Sequence, residues 1–550
     1  MSALLSTVIF SVLEILRVST SNISAPSDLS AMNSDDACII ITDLTVSFSS
    51  STDAPDSALD PSQWYCIDKD LYLHTAQQSA WLHIAQARET SLTADDLVIT
   101  NIKVGELDAA DALDNSWESR PGGIWVLRSS YTGDSQHAVT GVDVLFGVDA
   151  VDPRPQWTLT ESPLQLNAQP EVPVARLTIR HGIPTLRPDV PALRAREDGT
   201  FKMLQISDTH MVTGVGVCTD AMDAYGQPLP TSEADPLTVK FLEGILDLEE
   251  PDLVILAGDQ LHHGIPDTQS ALFKVVAPLI ERSIPYAPVF GNHDDEGAYA
   301  LSRKEQMSIL QDLPFSLCEP GPEQIDGIGN YYHEVFSHSS SELPLATLFF
   351  LDSHGEIESE VKDPDYDWIK QSQIEWFTYS SRMLRRAREK DGNYNYPHVS
   401  LAFMHIPIPE YGDSDLTIKA GQRGEPTEGP SFNSHFYDAL VREGVVAVGC
   451  GHDHVNDFCG LLPQHKNEGL QQHGSNITQL GPWLCYGGGS GFGGYGSYDG
   501  KQFYRRTRVW ELDLNEGGIK TWKRVEYDQE RVDELALVEW GVVIAPTQTA

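Results

Sequence analysis

Four short runs in this chain crowd metal-capable side chains together: Asp208-Thr-His210, Gly-Asp259, Gly-Asn292-His293-Asp294 and Gly-His452-Asp-His454, with an isolated His405 between the last two. Carboxylate, imidazole and carboxamide donors in this mixture suit borderline and hard divalent or trivalent first-row cations, not a thiolate zinc site. A carboxylate can serve two cations at once when they lie about 3.5–4 Å apart, which is the natural part for Asp259. One cation would take Asp208, His210, Asp259 and His454; the other would take Asp259, Asn292, His405 and His452. Two such cofactor ions, divalent or mixed-valence Fe, Mn or Zn, lower the pKa of a bridging water and so provide a hydroxide nucleophile at neutral pH. They also neutralise phosphate oxygens during an in-line displacement, so the implied chemistry is phosphate-ester hydrolysis. His293, next to a ligand, is placed at the edge of the site. As an imidazolium it can hydrogen-bond a phosphoryl oxygen or protonate the leaving alkoxide. Asp294 is expected to orient it and keep it charged.

Each run alone is weak, because Asp-x-His or Gly-Asp at a strand end is more often a turn or a helix cap. Their position is what persuades. Each follows a predicted buried strand, at 201–206, 253–257, 286–290, 399–404 and 445–448. In open α/β sheets, sites gather beyond the carboxyl ends of strands. A sixth strand, 345–351, ends in Asp352-Ser353-His354, a weaker candidate. Helical spacing fills the intervals at 236–249, 268–282, 299–311, 372–389 and 433–442, and two further strands are expected at 505–514 and 519–527. The alternation describes an α/β domain with helices covering its sheets.

The rest of the chain divides by composition. Residues 1–36 read as a mostly disordered leader rich in Ser, Asn, Asp and Ala. Residues 37–182 switch to short alternating runs such as VITNIKV and AVTGVDVLF, an all-β accessory domain without a metal-ligand cluster and thus suited to binding or packing. A proline-rich, charged connector covers 183–199, the catalytic domain 200–527, and a weakly patterned tail expected to fray 528–550.

The net charge of −43, from 37 basic and 80 acidic side chains, repels phosphate backbones and argues against a nucleic-acid partner. Seven cysteines make no disulfide framework, and Cys450 and Cys459, which bracket the His452–His454 turn, read as buried unreactive thiols. The opening segment MSALLSTVIFSVLEILR is apolar but carries Glu14 and is shorter than the roughly 20 apolar residues of a membrane span. The expected location is cytoplasmic, with membrane association or the secretory pathway through this segment as the alternative; the sequons at Asn22 and Asn476 matter only in the latter case.

Taken in order, DTH, GD, GNHD, His405 and GHDH resemble the calcineurin-like metallophosphoesterase superfamily. The resemblance covers about 200–525 and implies a four-layer β-sandwich flanked by helices. QISDTH, ILAGDQ, VFGNHDDEG, LDSHGE, MHIPIPEY and GCGHDHVNDFCG are similar to a fungal phosphatase group related to purple acid phosphatases, which includes a yeast dosage-dependent cell-cycle regulator. The upstream block DLYLHTAQQSAWLHIA extends that likeness into the β domain. The resemblance implies a phosphomonoesterase acting on phosphoproteins. A phosphodiesterase or nucleotidase with the same centre, and a non-catalytic regulatory binding protein, are the alternatives. True purple acid phosphatases place an iron-binding Tyr three residues beyond the bridging Asp. Here that position is His262, so no tyrosinate–iron chromophore is implied; His262 and His263 read as substrate-facing or surface residues. The glycine run GGGSGFGGYG at 487–496 lacks the Lys-Ser/Thr ending of a phosphate-binding P-loop and reads as a flexible loop near the site.

Overall fold

The structure, a computed structural model, describes residues 38–545 apart from 50–58, 77, 110, 114–115, 185–191, 230–231, 339–341, 360–364, 391–396 and 464–479. The expected leader, its apolar segment and both sequons lie outside the described residues. Among those described, no helix is long and apolar enough to cross a membrane.

Leu253–Ala257 (LVILA) and Val399–Phe403 (VSLAF) are buried at every position. Continuous burial of this kind marks parallel strands covered on both faces. Each lies inside a seven-stranded sheet. In the first sheet, Tyr286–Val289, Leu253–Ala257 and Thr200–Ile206 run parallel, and antiparallel Arg506–Asp513, Gly518–Val525, Val532–Glu539 and Val542–Val543 extend it. In the second, Pro344–Phe350, Val399–Phe403, Ala447–Cys450 and Trp483–Tyr486 run parallel, flanked by antiparallel strands on both sides. The inner faces close on one core in which Phe201, Met203, Ile255 and Trp510 meet Phe350, Leu401, Phe403 and Trp483. Helices Ala234–Glu249 and Thr268–Glu281 cover the outer face of the first sheet through Leu242, Leu246, Phe273 and Val276. Helices Gln371–Lys390 and Phe436–Glu443 cover the second through Phe377, Phe436 and Leu440. The result is the helix–sheet–sheet–helix sandwich expected of the fold class. Because the central strands of each sheet are parallel, their carboxyl ends emerge on one rim.

Three expectations need correction. The tail does not fray after 527: Val532–Glu539 pairs with Gly518–Val525 and places Leu537 and Val538 in the inter-sheet core. The end of the expected connector is not a free linker either. Leu193 and Ala195 are buried in that core, and Phe336 N donates to Leu193 O while Phe336 O accepts from Ala195 N, both at 2.9 Å. The helix expected from 299 begins at Arg303, because Ser302 forms a reciprocal capping box with Glu305 that fixes the first turn there.

The N-terminal region is all-β, with three three-stranded sheets around a shared core of Leu44, Leu82, Ile99, Val126, Val144 and Leu177. It is docked on the sandwich. Leu145 and Ala150 join the core beneath helix Thr268–Glu281. Phe146 N donates to Ser270 Oγ at 2.8 Å, and Lys69 Nζ donates to Val144 O at 2.6 Å while facing Asp267 at 3.6 Å. The most buried link is Lys274, whose side chain is 3% exposed and whose Nζ meets Asp149 at 2.8 Å, Asp235 at 2.5 Å and the Gly214 carbonyl. Burial pushes the Asp235 carboxyl up to about 6 even with Lys274 beside it. Removing the ammonium strands two carboxylates, one from each region, in low dielectric. Lys274→Met is expected to destabilise the protein by about 3–5 kcal/mol. A urea titration followed by tryptophan fluorescence measures this, and an unchanged midpoint would contradict the docked arrangement.

Candidate metal centre

The rim receives Asp208 and His210 from the turn after Thr200–Ile206, Asp259 after Leu253–Ala257, Asn292 after Tyr286–Val289, His405 after Val399–Phe403, and His452 and His454 after Ala447–Cys450. Donor atoms of Asp208, His210 and His454 lie within 4.8 Å of one another, as do those of Asp259, His405 and His452. The two groups adjoin: His405 Nε2, 3.1 Å from Asp259 Oδ2 within its own group, is 4.0 Å from Asp208 Oδ1 of the other. The turns are unusual in their backbone. Asp208, His210, Asp259 and His452 all have positive φ, between 48° and 78°. Asp and His tolerate this left-handed region better than most side chains, yet each instance costs on the order of 1–3 kcal/mol. Such strain persists only where the surroundings hold it in place.

Hydrogen bonds set the imidazoles' orientation. His405 Nδ1 is 2.8 Å from Ala257 O and His454 Nδ1 is 2.9 Å from Tyr495 O. A carbonyl only accepts, so each Nδ1 carries a proton and each Nε2 faces inward. Burial keeps His210 and His452 well below the ordinary histidine range and takes His454 to about 3. These rings are therefore neutral, the form in which imidazole binds cations. Burial opposes charge on His405 too, but the carboxylates of Asp259 and Asp208 outweigh it and lift the ring to about 9. The centre thus draws positive charge toward its carboxylates.

The donor set fits metal ions on one direct observation. His405 Nε2, His452 Nε2 and Asn292 Oδ1 are buried without a hydrogen-bond partner among the described residues. The 3.1 Å approach of His405 Nε2 to Asp259 lacks hydrogen-bond alignment. An unsatisfied buried polar atom costs about 1–3 kcal/mol, and three converging on one space point to a cationic occupant.

Asp294 does not play its expected part. Its carboxylate accepts from Gly291 N at 2.7 Å, Leu261 N at 2.9 Å and Asp259 N at 3.0 Å, binding the Asp259 turn to the Asn292 turn. It is buried, and lies behind the centre. Glu296 takes the place assigned to it: Glu296 Oε2 is 2.5 Å from His293 Nδ1. Burial alone would lower the His293 pKa, but the Asp259 charge and the Glu296 pairing raise it above the ordinary value. The reason is local geometry. On the tight turn, adjacent side chains diverge, whereas a residue three positions on returns to the ring.

Further side chains surround the centre, of which Tyr495, Glu425 and Arg303 carry no signal in the local sequence pattern. His262 Nδ1 stands 3.2 Å from His210 Nδ1, and Tyr495 stacks on the His454 ring at 3.9 Å while its hydroxyl donates to Glu425 at 2.8 Å. The Arg303 guanidinium donates to the Gly291 and His354 carbonyls and pairs with Asp352 and Asp295. His354 itself turns to Gln373 Oε1 at 2.8 Å and stands outside both donor groups. Cys459 is not a free thiol but is disulfide-bonded to Cys485, its register partner on the neighbouring strand; Cys450 remains a buried thiol.

The glycine run is not a loose loop. It continues the parallel strand Trp483–Tyr486 and is almost entirely buried against the metal-capable turns. A Cβ on Gly491 would sit 1.9 Å from Thr209 O, and one on Gly494 would sit 2.4 Å from His454 Cε1. Only glycine lets this backbone come so close.

Residues 201–456 match the family described as calcineurin-like phosphoesterase. Phosphatase DCR2 of Saccharomyces cerevisiae is 37% identical over 403 residues, which cover 70% of this chain and 64% of that protein. Probable inactive purple acid phosphatase 28 of Arabidopsis thaliana is 35% identical over 380 residues, covering 64% of this chain and 87% of that protein. The chain belongs to the calcineurin-like phosphoesterase family. A further family relative, Probable inactive purple acid phosphatase 14 of Arabidopsis thaliana, is 34% identical and 82% covered. The match spans a little under two thirds of the yeast phosphatase's length. Membership in this family implies divalent metal ions, in agreement with the unpartnered donors.

Because the glycine wall fixes the ligand turns by contact, Gly491→Ala is expected to lower the melting temperature by several degrees. Gly244→Ala, in a helix with nothing within 4 Å of the added carbon, serves as the comparison and should be neutral or stabilising by about 0.5–1 kcal/mol. Thermal unfolding followed by circular dichroism distinguishes them; equal behaviour would mean the wall yields freely.

Proposed function

We propose that this protein is a binuclear metal-dependent phosphomonoesterase. The observation that carries the reading is the pair of adjoining donor groups, Asp208/His210/His454 and Asp259/His405/His452, with Asn292 Oδ1 and two imidazole nitrogens unpartnered between the turns. Asp208, His210, Asp259 and His454 would hold one ion, and Asp259, Asn292, His405 and His452 the other, with Asp259 shared. When bound, the ions activate a water for attack at neutral pH and neutralise charge on the phosphate.

The chain's own contribution centres on His293. Glu296 holds Nδ1 and favours the charged ring, which leaves Nε2 to meet a phosphoryl oxygen or to hand a proton to the departing alkoxide. The backbone N–H of His293 donates to Asp259 Oδ1 at 2.8 Å, so the same residue also orients the shared carboxylate. Asp294 acts through the backbone, keeping Asp259 and Asn292 in register.

A cleft of about 740 Å³ opens beside Asn292, lined by Asp295, Glu296, Arg303, Lys304, Glu356 and Glu358 among others. A volume of this size accommodates the phosphorylated end of a substrate, and its acidic walls disfavour polyanionic nucleotides. A second reading, a non-catalytic binding protein on the same fold, is favoured by the word "inactive" in the names of two plant relatives. The complete donor set counts against it here.

Two measurements test the proposal. A hydrolysis panel of aryl monoester, aryl diester, nucleotide and phosphopeptide should favour the monoesters, with Asp259→Asn abolishing turnover and reducing bound metal. Diester preference by orders of magnitude, or full activity in Asp259→Asn, would overturn it. Separately, His293→Ala should cut kcat by about 10²–10⁴-fold while metal content stays near that of the parent. Loss of metal instead would make His293 a ligand.

A further inference from the structure

Outside the two donor groups, a third gathers on the rim. One ligand atom each from His263, His293 and Glu296 lie within 4.8 Å of one another. His263 and Glu296 are exposed and His293 half-buried, so the group opens to solvent. The His263 and His293 rings are 5.4 Å apart between centroids, and Glu296 Oε2 is already on His293. His262 packs against His263 with ring centroids 4.1 Å apart, which restricts the movement of that ring.

We infer that His263, His293 and Glu296 form a separate rim site for Zn²⁺ or a similar borderline cation, and that filling it inhibits the enzyme. Two imidazoles and a carboxylate with the fourth position open to water are a donor set zinc accepts, at about 2.0–2.2 Å per bond. Tetrahedral ligands at that distance stand about 3.3–3.5 Å apart, so the His293–Glu296 contact needs to widen by only about 1 Å, through exposed side chains. The inference rests on the role proposed above for His293. A cation bound by all three side chains pins the His293 ring toward His263 and Glu296. His293 is then no longer free to meet the substrate. The neighbouring acidic groups Asp295 and Glu356, which line the same cleft, raise the local cation concentration. The site is thus filled after the central one, at higher free zinc, and its occupancy turns the catalyst off without emptying the centre.

The experiment uses the full-length protein carrying its metals, dialysed against increasing Zn²⁺, with bound metal per chain measured by plasma emission and turnover measured in parallel. The variant is His263→Ala, with Asp259→Asn as a second chain. The parent should bind one more Zn²⁺ per chain than His263→Ala. Half-inhibition by Zn²⁺ should move upward by about 10–100-fold in the variant. Equal stoichiometry in the two chains, or a lost Zn²⁺ with no change in inhibition, overturns the inference. Asp259→Asn should lose metal from the centre yet still bind the rim Zn²⁺. If it loses none, the reading of the centre fails, while the His263 comparison still decides the rim site by metal count.

Discussion

The molecule is organised around a concentration of unshared electron pairs in a dry place. Two imidazole nitrogens and one carboxamide oxygen converge, beside the carboxylates of Asp208 and Asp259, where no donor among the described residues answers them. Such an arrangement is costly by itself, and it is assembled from turns with left-handed backbones that are costly again. The scaffold has to hold it by force of packing. Parallel strands deliver the turns to one rim, the Asp294 carboxylate ties two of them together by their amides, and a buried glycine backbone presses on two more. Each device removes a way for the donors to relax apart.

The division of labour explains how much could be read in the residues. Strands such as LVILA are written in a continuous apolar run, and the donors come directly after them, so both strand and ligand set were legible from local pattern. The features that escaped act through backbone or across distance. Trp483–Tyr486 is a parallel strand of the same kind, but it runs into glycine, whose contribution is the absence of a side chain. Asp294 sits beside His293 in the chain, and adjacency suggested a pair, whereas a tight turn sends neighbours apart and brings Glu296 round instead. Val532–Glu539 escaped because acidic residues on its open face hide the buried Leu537 and Val538. The cysteine pair escaped because 26 residues separate two thiols that the sheet places side by side.

The β region is part of the same structural economy. It lends apolar side chains to the core beneath helix Thr268–Glu281, and its Asp149 reaches the buried Lys274. That helix lies directly downstream of the Asp259 turn and carries Asp267 at its cap. Docking the β region therefore stiffens the sheet face from which Asp259 projects. Its loop 70–76 also reaches the rim, where His74 stacks on Tyr299 at 4.0 Å. The connection gives the accessory region a physical route to the stretch just beyond His293.

The covalent bond between Cys459 and Cys485 has a mechanical consequence. The chain departs from one strand and returns on its immediate neighbour, with both points of attachment fixed to each other. Neither strand can slide along the other or part from it while the bond holds, so the histidine turn ahead of Cys459 and the glycine wall beyond Cys485 are kept in alignment. In a reducing environment that alignment passes to the sheet hydrogen bonds alone.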